Sequence, residues 1–84
     1  MHDLATQTIV ELSWIPYRSV ISRRDYQTLL QMLVDELVKL KEHKILLGKV
    51  VEEIISSVQV TQDKWRADYK QESQYIRRFK QLVL

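Results

Sequence analysis

The chain has no cysteine and only one glycine and one proline among 84 residues. Without cysteine there is no disulfide stapling, no thiolate nucleophile and no zinc site of the cysteine type. Turns draw heavily on glycine and proline, so their scarcity predicts few reversals of chain direction. There are two histidines and no HExxH, glycine-rich phosphate loop or GxSxG motif, so no catalytic or metal-binding constellation is predicted, and no cofactor. Glu52 and Glu53 are adjacent and would point about 100° apart on a helix, too far for a facing carboxylate pair. The sequence is expected to be a non-enzyme.

No apolar run approaches the roughly 18 residues that a membrane-spanning helix requires. The opening MHDLATQT lacks the basic-then-apolar order of a secretory signal, so a cytoplasmic or nuclear location is expected. The net charge is +2, from 13 basic and 11 acidic side chains, too small to draw the whole chain to nucleic acid or an anionic membrane. The sign is uneven: residues 1–43 carry five Lys/Arg against six Asp/Glu, and residues 44–84 carry eight against five.

What is present is apolar patterning. An apolar fraction of 45% beside a charged fraction of 29% indicates a chain that folds, alone or on assembly. From Ala5 to Ile15, Thr8, Val10, Leu12 and Trp14 alternate with Ile9, Glu11, Ser13 and Ile15. This period of two predicts a short extended arm or strand ended by Pro16. Residues 1–22 are therefore read as an arm and connection, and 23–84 as a helical segment. Ser22-Arg-Arg-Asp25 is a shortened capping box, predicting a helix start near Arg23. Arg23 and Arg24 oppose the helix dipole there and are expected to be simply solvent-exposed, with a contact as the alternative.

Beyond Tyr26 a heptad series runs Leu30, Leu33, Leu37, Leu40, Lys44, Leu47, Val51, Ile54 and Val58. Eight of these nine positions are apolar, as in a coiled-coil seam. Leu29 and Val50 at g, with Val34 and Ile55 at e, widen it toward a bundle core. Lys44 falls inside the seam, where a lysine can select register or oligomeric state. The expectation is an all-α protein: after the arm, a long amphipathic helix forms an oligomeric coiled coil or helical bundle, with itself or another helical subunit as partner. Leu30, Leu33, Leu37, Leu40, Leu47, Val51, Ile54 and Val58 would form the oligomer interface, and Val34, Val50 and Ile55 a second helix-face contact. The spacing runs through Gly48 without a change of phase. It slips near Thr61, where a stutter would preserve one helix of about 90 Å and a turn would make a hairpin.

Trp65, Tyr69, Tyr75 and Phe79 stand among Lys64, Arg66, Lys70, Arg77, Arg78 and Lys80. Trp, Tyr and Arg together favour a protein-protein hot spot, and Trp14, Trp65, Tyr69 and Phe79 are the partner-binding candidates. Aromatics among cations also suit a small dimeric nucleic-acid-binding regulator, the alternative function. Lastly, Asp3-Leu4-Ala5-Thr6-Gln7-Thr8 resembles the Thr-Gln-Thr recognition peptide of the small dynein light chain. That resemblance implies an extended segment that adds a strand to the light-chain dimer, with Thr6, Gln7 and Thr8 as its contacts. The functional expectation is a structural interaction module, a helical oligomerisation scaffold or adaptor.

Overall fold

The computed structural model describes residues 4–45, 48–65 and 70–83. They are all-helical: α1 is Leu4–Ser13, α2 the single turn Ile15–Arg18, α3 Arg23–Glu42, α4 Gly48–Trp65 and α5 Lys70–Gln81. No strand occurs among the described residues.

The expected N-terminal arm is a helix instead. Its buried positions are Thr6, Ile9, Ser13 and Pro16, spaced three, four and three apart, which is one face of a helix. Three of those four are not large aliphatics, so the helical face is hidden behind the alternation of Thr8, Val10, Leu12 and Trp14. Ser13 tolerates burial because its hydroxyl donates to the Val10 carbonyl at 2.6 Å. Pro16 does not end the segment; it sits in the first turn of α2, where its missing N–H has no helical partner to lose. Extended backbone at Ser19 (φ −127°, ψ 158°) then stops the helix.

α3 begins at Arg23, as the capping signal predicts, with the Ser22 hydroxyl accepting the Asp25 N–H at 3.1 Å. The long continuous helix, however, is not what forms. Lys44 adopts a left-handed conformation (φ 58°). The Lys44 N–H donates to the Lys41 carbonyl at 3.0 Å, and the Ile45 N–H to the Leu40 carbonyl at 2.9 Å. This paired pattern is the Schellman ending of a helix. Lys44 therefore closes α3 instead of filling a seam position, and Gly48 opens α4. At the break expected near Thr61 the helix is continuous: Thr61 lies inside α4, its hydroxyl donating to the Ser57 carbonyl at 2.8 Å. α4 runs on to Trp65 and the next helix starts at Lys70.

α1 and α5 each pack against both α3 and α4. α3 and α4 run antiparallel, since Tyr26 near the start of α3 meets Trp65 at the end of α4, ring centroids 4.9 Å apart and 66° inclined. The result is a helical bundle within one chain, with a radius of gyration of 12.2 Å. Its core joins Ile9 of α1, Tyr26, Leu30, Leu33, Val34, Leu37 and Leu40 of α3, Val51, Ile54, Ile55 and Val58 of α4, and Phe79 of α5. The seam expected to face other copies is thus covered by the chain's own helices: Leu30, Leu37, Val51, Ile54 and Val58 are 0 % exposed. Val34 and Ile55 are buried too, and Val50 packs against the same core. Leu47 lies outside the described residues. The apolar face that reads as too large for one copy is closed intramolecularly because the chain turns at Lys44 and folds α5 back onto α4.

Candidate protein-interaction surface

Three of the seven residues singled out for partner contact, Thr6, Trp65 and Phe79, are engaged inside the bundle. Phe79 is 0 % exposed, and Trp65 packs against the core beside Tyr26. Thr6 is buried in α1, while Gln7 and Thr8 are exposed on a helix. Strand addition needs an extended ligand, so the helical Thr6-Gln7-Thr8 segment does not have the form that the light-chain resemblance implies. Tyr69 lies outside the described residues. Of the aromatic candidates, Trp14 and Trp65 are both half-exposed, and Trp65 is the one of the two packed against the core.

Around Trp14 the structure builds a compact apolar and cationic surface. α2 is tied to the end of α1 by the Tyr17 and Arg18 N–H groups, which both donate to the Trp14 carbonyl at 3.1 Å. The Tyr17 ring stands edge-on to Trp14, with centroids 5.5 Å apart and planes at 85°. Lys64, near the end of α4, donates to the Tyr17 carbonyl and holds its ammonium 4.9 Å from the Tyr17 ring centroid. That cation–π geometry pins the turn to the bundle. Ile15 and Tyr17 are 37 % and 39 % exposed, and Val20, on the extended link, is 101 % exposed. Other exposed apolar side chains, such as Met32, Val60 and Val83, are scattered singly over the rest of the chain, which is ordinary for a folded surface.

Arg18, Arg23 and Arg24 are exposed along the same 12 to 24 stretch, which contains no acidic residue. Glu11 and Asp25 bound it, and Asp63 neighbours Lys64. The arginines at the start of α3, unfavourable to its dipole, thus follow within four residues of Val20, the most exposed large apolar side chain among the described residues. Sequence reasoning missed Tyr17 and Val20 because they fall in the one connection read as a mere link. The signal was the apolar-aromatic-basic run Ile-Pro-Tyr-Arg-Ser-Val around the single proline.

Among the described residues, no helix is long and apolar enough to cross a membrane, and no group of three or more His, Asp or Glu side chains converges on a metal position. Compared with protein families, with curated proteins and with solved structures, the chain matches none.

Proposed function

We propose that this protein is a helical protein-interaction module, an adaptor rather than an enzyme, that docks an acidic segment with an apolar anchor on the α2 turn. The observation that carries the reading is Val20, fully exposed three residues after Tyr17, whose ring Lys64 holds, and between Arg18 and Arg23 in the sequence. An exposed aliphatic gains from burial, and Tyr and Arg are the residue types over-represented at binding hot spots. A second copy fits this surface poorly. A two-fold contact sets a patch against itself, which would oppose Arg18, Arg23 and Arg24 to their own images, so the charge favours a different, acidic partner.

The test uses two labelled peptides, one alternating leucine with glutamate and one with glutamine in place of each glutamate, in fluorescence anisotropy titrations. The acidic peptide should bind the wild type. Val20→Asp should weaken binding by about tenfold or more, as expected for a truncated hot spot that gains a repelling charge. Val20 is fully exposed, so the variant should keep its helicity. Equal binding of both peptides, or an unchanged affinity for Val20→Asp, would refute the docking surface. Binding of duplex nucleic acid that falls steeply with salt and exceeds the peptide affinity would instead favour the nucleic-acid reading.

A further inference from the structure

On the other side of α4 from the α2 turn, a cleft of about 340 Å³ separates α4 from α5. Its described lining is Gln59 and Gln62 from α4, with Ser73, Ile76, Arg77 and Lys80 from α5. Every polar side chain there can donate a hydrogen bond, two carry a full positive charge, and none is a carboxylate. Gln62 is 6 % exposed, yet its side-chain Nε2 is buried without a hydrogen-bond partner. A buried donor with no acceptor costs stability, and native proteins leave few of them. Gln62 lines the cleft beside an arginine and a lysine, but less than 1 Å² of its Nε2 is accessible, so a ligand meets that donor only if the amide swings toward the cleft.

An adjoining groove of about 510 Å³ shares Gln59 and Lys80 and is walled by Ile55, Ser56 and Val83, with Glu52 at its border. The two spaces adjoin at Gln59 and Lys80, which line both. One end is rich in donors and cations, and the other is largely apolar. We infer that the α4–α5 cleft binds a small amphiphilic oxyanion, a carboxylate or phosphate monoester on a short apolar body. The head accepts from Gln62 Nε2 and pairs with Arg77 and Lys80, while the body lies along Ile55 and Val83. Arg77 supplies the planar donor fork suited to either oxyanion.

The probes are hexanoate, hexyl phosphate, inorganic phosphate and hexylamine, titrated into the whole chain and followed by two-dimensional amide NMR. Saturable shifts are expected at Gln59, Gln62, Ile76 and Arg77 with hexanoate or hexyl phosphate, and the tighter of the two identifies the head group. Gln62→Leu removes the unpartnered donor while filling its space, so it should stay folded with an equal or higher melting temperature. It should also weaken the tighter probe by about tenfold, the loss of one charge-assisted hydrogen bond. Lys80→Gln should weaken it similarly. No saturation below roughly 50 mM, far weaker than a built site gives, would overturn the inference. So would equal binding of hexylamine, inorganic phosphate binding as tightly as hexyl phosphate, or a folded Gln62→Leu variant that binds like the wild type.

Discussion

Replacing Leu37 with alanine asks directly whether the apolar seam is closed within one chain. Leu37 is 0 % exposed, in the α3 face that also buries Leu33, Val34 and Leu40. The substitution deletes three carbons at roughly 0.8 kcal/mol each, and the cavity left behind raises the cost to about 3–4 kcal/mol. A chain of 84 residues has a total stability of order 4–13 kcal/mol, so the loss is large. For a domain this size it should lower the melting temperature by roughly 12–30 °C. Far-UV circular dichroism melts, at protein concentrations about a hundredfold apart, provide the assay. A self-contained bundle melts at one temperature at both concentrations, whereas a core shared between copies melts higher when concentrated. A wild-type midpoint that climbs with concentration would contradict a core closed within one chain. So would a Leu37→Ala variant whose mass by light scattering fell to half the wild-type value while its helicity stayed intact. Leu37→Asp, which buries an unpaired charge, should leave no cooperative melt at all.

Further substitutions probe individual features. Lys44→Gly should stabilise by about 1 kcal/mol, because a non-glycine residue at a positive φ carries a cost that glycine lacks; a lower urea midpoint would mean that the turn geometry is misassigned. Gly48→Ala brings a methyl to 3.7 Å from Val83 Cγ1, an ordinary contact, and should raise stability in urea by about 0.5–1 kcal/mol through helix propensity. Lys64→Met removes the bond to the Tyr17 carbonyl and the ring contact; a loss of about 1 kcal/mol is expected at this exposed site, with faster hydrogen exchange confined to the Tyr17–Ser19 amides. Thr61→Val deletes a buried hydroxyl that bonds within its own helix, and should stay within about 1 kcal/mol of wild type in urea denaturation.

Ser22 followed by Asp25 located the start of α3, and the spacing of Leu30, Leu33, Leu37, Val51, Ile54 and Val58 identified the side chains of the core. Their partner was another matter. Periodicity says that a face is apolar but not whether a second copy or the same chain covers it. That depends on where the helix ends, and the ending at Lys44 carries no glycine, asparagine or proline to mark it. The seam continues in phase on both sides of Lys44, and the one polar residue in it, Lys44 itself, reads as a register-selecting lysine as readily as a helix end. α1 was illegible for the opposite reason: Thr6, Ser13 and Pro16 bury as well as aliphatics do, while the alternating Val10, Leu12 and Trp14 imitate a strand. As for sites, Trp14 and the Arg23–Arg24 pair could be seen in the sequence. The role of Lys64 over Tyr17 could not, because 47 residues separate them. Nor could the unpartnered Gln62 Nε2, whose isolation is a property of packing.

The left-handed residue that closes α3 has a bearing on topology as well as on stability. If the connection between α3 and α4 became helical, with Lys44 at right-handed torsion angles, the two helices would continue one another, and each apolar face would lose the partners that the reversal brings back across the core. Only the corresponding helices of another molecule could then cover them, which is the geometry of domain exchange. Two assemblies, one closed on itself and one intertwined, would then use the same buried side chains and differ at the connection between α3 and α4. A β-branched residue, which tolerates positive φ worst, should tip the balance, so Lys44→Val is expected to populate an exchanged dimer, visible as a doubled mass in size-exclusion chromatography with light scattering. Such an exchanged dimer would make a solvent-exposed lysine, outside the core, a determinant of how many chains share the folded unit.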